Sequence, residues 1–190
     1  GAYAATLDAK TVGVSKLLSK IKLSLSANGS LQKANLTPQS YNYFRKKNEK
    51  SKERNLKFAT NGDLMTEGTD YDATILKAVN ASVMDPLSML LKLTRAKSPC
   101  SGKHRAFDGR DVFDISLSNG GKSGETLTCK IVYTPVAGGE VEDGDTEPKR
   151  YEITLAPIGN AQGYVPVRIA GSTKGVGFDV NATAVTVNGA

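Results

Sequence analysis

Apolar and polar positions alternate with a period of two through most of the chain, in short runs separated by turn residues. Phe113, Ile115 and Leu117 alternate with Asp114, Ser116 and Ser118, the pattern of a strand with one face buried. Leu127, Cys129, Ile131 and Tyr133 fall on one face of a following strand, and Asn119 to Gly124 reads as a loop between them. Upstream, Asp108-Gly109 is a hairpin dipeptide, because its central positions need positive φ, which Gly accepts freely. Tyr151, Ile153 and Leu155 repeat the alternation, as do Val165, Val167 and Ile169, then Val176, Phe178 and Val180. Ala182 to Val187 completes a closing hairpin through Thr173-Lys174-Gly175.

The N-terminal half follows the same rule with two interruptions. Tyr3 to Thr11 predicts a strand ended by Gly13, and Val14, Leu17, Leu18 and Ile21 recur at helical spacing. Ile21, Leu23 and Leu25 then alternate as a strand that stops at Asn28-Gly29. Thr37-Pro38 precedes a strand from about Ser40 to Lys47, and a second runs from about Arg54 to Thr60, with a charged tip between them. Asn61-Gly62 predicts another turn, with Leu64 to Thr66 returning, and residues 67–83 read as a long connection. Asp85-Pro86 starts a helix with Asp as N-cap and Pro at the first helical position. Leu87, Leu90, Leu91 and Thr94 form its buried stripe, and Ser98-Pro99 ends it.

Strand follows strand without the alternating helices that a parallel sheet requires. The predicted class is mainly β and antiparallel: a long curved sheet, or an open β-barrel or spiral, with one or two short helices. At 190 residues the chain fits one domain, residues 1–190, with a real core. Nineteen glycines, 6% aromatics and no Trp suit many strands joined by turns. No run of 18 apolar residues occurs, so no helical membrane span is predicted. The opening Gly-Ala-Tyr-Ala-Ala carries no signal peptide and reads as a processed or trimmed start.

The net charge of +6 is unevenly spread. Residues 45–57 carry Arg45, Lys46, Lys47, Lys50, Lys52, Arg54 and Lys57 against Glu49 and Glu53. That hairpin is either an anion-contact surface for phosphates or a solvated tip whose lysines discourage edge pairing. Tyr41, Tyr43 and Phe44 lie nearby, yet no nucleic-acid-binding motif accompanies the charge, and no nucleic-acid partner is expected. Glu140, Glu142, Asp143, Asp145 and Glu147 lack EF-hand spacing and read as a solvent loop rather than a calcium site.

The catalytic classes find little footing. His104 is the only histidine, placed by the pattern on the outer face of its strand, and no G-x-S-x-G elbow exists. Gly121-Lys122-Ser123 lacks the first glycine of a phosphate loop, where Ser116 stands. Asp108, Arg110 and Asp114, with Arg168 as an odd cation in an apolar strand, form either a polar site or structural ion pairs, Arg168 joining Asp108 or Asp114. No metal set and no cofactor motif is present. Cys100 and Cys129 are the only cysteines, so one intramolecular pairing is available; a disulfide and two buried free thiols both remain open on the residues alone.

Asp85-Pro86-Leu87-Ser88, Cys100, Phe107-Asp108-Gly109-Arg110, Phe113-Asp114-Ile115, Cys129-Lys130-Ile131-Val132-Tyr133, Pro135-Val136-Ala137-Gly138 and Pro166-Val167-Arg168-Ile169, in that order, resemble the bacterial family called domain of unknown function 3108, in its alphaproteobacterial form. The resemblance covers about residues 84–185, with a looser match before. It implies a secreted, periplasmic protein of antiparallel β architecture. It also implies a Cys100–Cys129 disulfide, and an N-terminal strand and signal peptide lying ahead of Ala2. A family named for lacking a function imports none; a role in the cell envelope is the expectation.

Three functions follow. The first is a non-catalytic binding module that takes a lipid or other hydrophobic envelope ligand in the concave face of the sheet. The second is a structural or protein-interaction component of the envelope, and the third an enzyme with an unrecognised site on Asp108, Arg110 and Asp114. Envelope lipids or proteins are the expected partners.

Overall fold

The computed structural model describes residues 1–10, 20–32, 35–79, 83–158, 163–173 and 176–182. Ten strands among them form two antiparallel meanders. The first contains β1 (Ala2–Lys10), β2 (Ile21–Gln32), β3 (Asn35–Lys47) and β4 (Lys50–Lys57), in sequence order. The second contains β5 (Gly102–Phe107), β6 (Asp111–Ser123), β7 (Thr126–Gly138), β8 (Lys149–Pro157), β9 (Tyr164–Thr173) and β10 (Val176–Asn181), again in order. The antiparallel class is as predicted, but the described strands divide between two sheets of four and six strands, and neither closes into a barrel.

The division falls at residues 58–101, where the strand pattern lapses and two helices form. Asp72 caps α1 (Ala73–Ala78) by accepting from Thr74 N and Ile75 N. Asp85 caps α2 (Pro86–Thr94) by accepting from Leu87 N at 3.0 Å and Ser88 N at 2.8 Å, as the Asp-Pro start predicts. The helix ends at Thr94, four residues before Ser98. It lies against β1, β2 and β3 on one side and against β5 and β9 on the other, so it bridges the sheets. Tyr3 reaches across Gly29 to share a 2.6 Å hydrogen bond with Ser88 of α2; a Cβ on Gly29 would collide with the Tyr3 ring.

Three apolar clusters hold the layers. Ala27, Tyr41 and Leu56 of the first sheet, with Phe58 just beyond β4, meet Phe107, Val112 and Ala137 of the second around Leu87. Leu36, Met89 and Leu93 meet Ala106 and Phe113, and Leu90 packs on Cys129, Ile153 and Leu155. Full burial of each such leucine contributes roughly 1.5–3 kcal/mol, so α2 is held by several side chains on both of its faces.

Strand limits differ from the sequence expectations where bulges absorb a break. β2 continues through Asn28-Gly29 to Gln32, because the register shifts there and Pro38 of β3 sits opposite Gly29. β6 and β7 likewise run past Asn119, through a bulge at Asn119/Gly121, to a turn at Gly124-Glu125. β4 begins at Lys50, so the charged segment is strand up to a two-residue turn at Asn48-Glu49, and Leu64 makes a single bridge to Phe58 rather than a strand. The hairpin forms with its turn one residue later than expected: Asp108 N bonds to Asp111 O at 3.3 Å, Gly109 (φ 91°) and Arg110 are the central pair, and Asp108, not itself at positive φ, uses Oδ1 to accept from Arg110 N and Asp111 N. The helix expected from Val14 and the strand expected beyond Ala182 lie outside the described residues, as does the Lys174-Gly175 turn. A short third helix among the described residues, α3 (Gly139–Glu142), follows β7.

Candidate hydrophobic binding face

The register of the second sheet brings one aromatic residue from each of four strands onto a single face. Ile131 pairs with Tyr151, Tyr151 with Gly171, and Gly171 with Phe178, so these positions point the same way as Cys129 and Ile153 beneath α2. Phe113 and Tyr133 lie with ring centroids 4.7 Å apart, Tyr133 and Tyr151 6.3 Å, and Tyr151 and Phe178 5.7 Å. Such offset and edge-on pairs each add about 0.5–1.5 kcal/mol beyond their buried area. The row passes over β9 because Gly171 has no side chain; a Cβ there would collide with the Tyr151 ring.

The face is buried at one end and partly exposed at the other. Phe113 is buried, whereas Phe178 is 38% and Val180 44% exposed. Val180 pairs with Ile169 and Ile169 with Ile153, which gives a second apolar row beside the aromatic one. Where that row meets α2, a wholly apolar cavity of about 50 Å³ lies between Leu90, Leu93, Pro99, Leu117, Ile153 and Leu155. The Cys100–Cys129 disulfide is formed and stands at its wall, Cys129 fully buried. The opposite face of the sheet is mixed: a more open groove of about 620 Å³ there is lined by Ser118, Lys130, Val132, Arg150, Glu152 and Ala170 among others.

At the buried end the aromatic row is framed by charge. Tyr133 Oη donates to Glu140 Oε2 at 2.9 Å, and burial with that carboxylate pushes its phenol far above the usual range. Lys149 lies over the Tyr133 ring at 5.4 Å and pairs with Glu140 and Asp145 at 3.0 Å each. Two residues of the expected solvent loop are therefore tied down, and Asp143 pairs with Arg110 at 3.2 Å.

The four residues considered as one polar site are held in four separate pairs. Asp108 pairs with Arg54, whose guanidinium also stacks over Tyr43. Arg110 pairs with Asp143, and Asp114 takes a bidentate bond from Arg105, Nε to Oδ1 at 2.8 Å and an Nη to Oδ2 at 3.0 Å, with Lys103 at 3.0 Å. Hydrogen bonding from Arg105 lowers the Asp114 pKa despite its burial. Arg168 pairs with neither Asp108 nor Asp114 but with Asp179, its neighbour across the β9–β10 hairpin, at 2.6 Å. His104 pairs in register with Ile115 beside Ala106 and Phe113, so it lies on the inner face, not the outer one; the alternation of β5 starts one residue out of phase with the expectation.

Of the basic hairpin, Arg54 is taken by Asp108, while Lys46, Lys47, Lys50, Lys52 and Lys57 are exposed and Arg45 is half-buried. Among the described residues no group of three or more His, Cys, Asp or Glu side chains can hold a metal ion, and no helix is long and apolar enough to cross a membrane. The bare apolar rows escaped the sequence reading as a site. Phe178 and Val180 read only as one more alternating strand, and nothing local says that β10 is the outermost described strand of the sheet.

A family model described as a protein of unknown function, DUF3108, matches residues 1–183 and so takes in the first 80 residues as well. No curated protein and no solved structure matches the chain.

Proposed function

The chain belongs to the DUF3108 family of proteins of unknown function, and from that premise we propose a non-catalytic, exported protein of the cell envelope that binds a lipid or other hydrophobic ligand on the bare apolar face of its six-stranded sheet. The carrying observation is the continuity of two exposed apolar residues, Phe178 and Val180, with Tyr151, Ile169 and the apolar cavity beneath α2. Ligand-sized pockets usually exceed roughly 300 Å³, so the ligand lies along the face, with an apolar end reaching the cavity. Export is supported by the Cys100–Cys129 disulfide, a bond that persists in oxidising compartments such as the periplasm. The lack of catalysis is supported by the engagement of Asp108, Arg110, Asp114 and Arg168 in four separate ion pairs.

A second reading has its own observation. No described strand pairs with the outer edge of β10, so a strand of a partner protein can add there over Phe178 and Val180. Titration with a fluorescent long-chain fatty acid separates the two. Ligand binding predicts saturable uptake that Val180→Glu weakens at least tenfold; no uptake by the native chain contradicts it and leaves the edge-pairing reading.

A further inference from the structure

The described end of the first sheet gathers eight cations from all four strands and the residue before β2: Lys10, Lys20, Lys22, Arg45, Lys46, Lys47, Lys50 and Lys52. Asp8, Glu49 and Glu53 are the only described carboxylates on the same stretch of strand, so this end holds five of the chain's six net positive charges. The register sets the cations against one another. Lys10 is opposite Lys22, and Lys22 is opposite Lys46, which makes a row of three across β1, β2 and β3. On the other face Arg45 is opposite Lys52, and Lys47 opposite Lys50. Lys20 joins them because its backbone pairs with Asn48 in the β3–β4 turn.

Like charges directly opposite on neighbouring strands oppose sheet formation. Among the described residues the one ion pair at this end is Lys46 to Glu49, at 4.0 Å. Protection against edge-to-edge pairing does not account for the arrangement. It calls for lysines on edge strands, whereas Lys22 and Lys46 stand on β2 and β3, in the middle of the sheet. Interleaved with the cations on one face are the half-buried Ala9, Ile21 and Leu23, and next to the lysine row on the other is Phe44. Cations and half-buried apolar side chains thus alternate on both faces at the tip of the sheet, a mixture that suits anionic headgroups above acyl chains.

We propose that this strand end docks on a membrane surface of anionic phospholipid, with the Lys10–Lys22–Lys46 row and the Arg45–Lys52 and Lys47–Lys50 pairs as its contacts. The surface is distinct from the apolar face of the second sheet and stands whether or not that face binds a ligand. Membrane contact adds two residues, Lys10 and Lys22, to the cations of the 45–57 hairpin, and register alone brings them there.

The test is sedimentation of the full chain with vesicles of phosphatidylglycerol and phosphatidylcholine, against vesicles of phosphatidylcholine alone. Only the anionic vesicles should carry the protein down. Raising ionic strength from about 0.1 M to about 1 M, which shortens the screening length from about 10 Å to about 3 Å, should release it. Lys22→Gln/Lys46→Gln should weaken partitioning roughly 30-fold, at about 1 kcal/mol per cation removed, and should melt no lower than the native chain. Lys10→Gln/Lys52→Gln, on the edge strands, should act in the same direction. Partitioning unchanged by both variants, insensitive to salt, or matched on neutral vesicles overturns the proposal. So does binding to a DNA duplex as tight as to the anionic vesicles.

Discussion

Gly171 of β9 lies directly across from Tyr151 of β8, and the space a side chain would fill at Gly171 is taken by the Tyr151 ring, which leans over it toward Phe178. The aromatic row therefore depends on a residue that contributes no atoms to it. Gly171→Val forces the ring away. Overpacking of this kind costs about 1–3 kcal/mol, or roughly 3–10 °C of melting temperature for a chain of this size. Calorimetry reads the loss. The same variant should also bind fluorescent fatty acid more weakly, because the platform between Tyr151 and Phe178 is broken.

Asp114 and Asp85 are both buried carboxylates, and their contributions to stability run in opposite directions with pH. Arg105 holds the Asp114 pKa below its ordinary value, so the stability it contributes is full above the unfolded pKa and is lost as pH falls through the folded one. Burial raises the Asp85 pKa, so its ionised form is a cost above that folded value. The cost is relieved as pH falls through the folded value toward the unfolded one. Asp114→Asn should lower stability at neutral pH by about 2 kcal/mol, less than a fully buried pair because Lys103 and part of Arg105 are in solvent. Urea melts between neutral pH and about pH 3 should then show a flatter acid limb. An unaltered limb would remove Asp114 from the account.

At Asp85 the cap and the charge can be separated. Oδ1 carries both cap bonds, whereas Oδ2 is buried without a partner among the described residues. Asp85→Ala should cost about 1–2 kcal/mol through loss of the cap, and Asp85→Ser, which keeps an acceptor, distinctly less. Equal losses in the two variants would mean that the cap contributes nothing.

The Cys100–Cys129 bridge closes a loop with a sequence separation of 29. In the chain-entropy picture that is worth about 3.5 kcal/mol, so reduction should lower the melting temperature by roughly 10 °C. A melt unmoved by reductant would contradict the bond.

Features that depend on a few adjacent residues were legible from the sequence. The Asp85-Pro86 helix start and the Asp108-Gly109 hairpin are local chemistry; the helix starts where expected, and the hairpin forms with its turn moved one residue on, to Gly109-Arg110. The strand faces of β6, β7 and β8 were readable because alternation is itself a local property. Features set by register were not. The partner of Arg168 is Asp179, eleven residues on, and which carboxylate it meets depends on how β9 and β10 align. Asn28-Gly29 and Asn119 to Gly124 look like ends because Gly and Asn favour turns, yet bulges carry both strands through. The division into two sheets falls at the lapse in alternation over residues 58–101, which is local, whereas the contact of α2 with strands of both sheets is a long-range packing outcome with no local signature.

The proposed ligand site centres on the exposed Phe178 and Val180 of β10 and their continuity with β8 and β9, and native mass spectrometry of protein purified from its native host cells tests it most directly. Organic extraction then identifies whatever is released. Ligand binding on this face predicts a stoichiometric apolar adduct on the native chain, lost in Val180→Glu. A clean mass for the native chain, with no adduct under conditions that preserve noncovalent complexes, would contradict it.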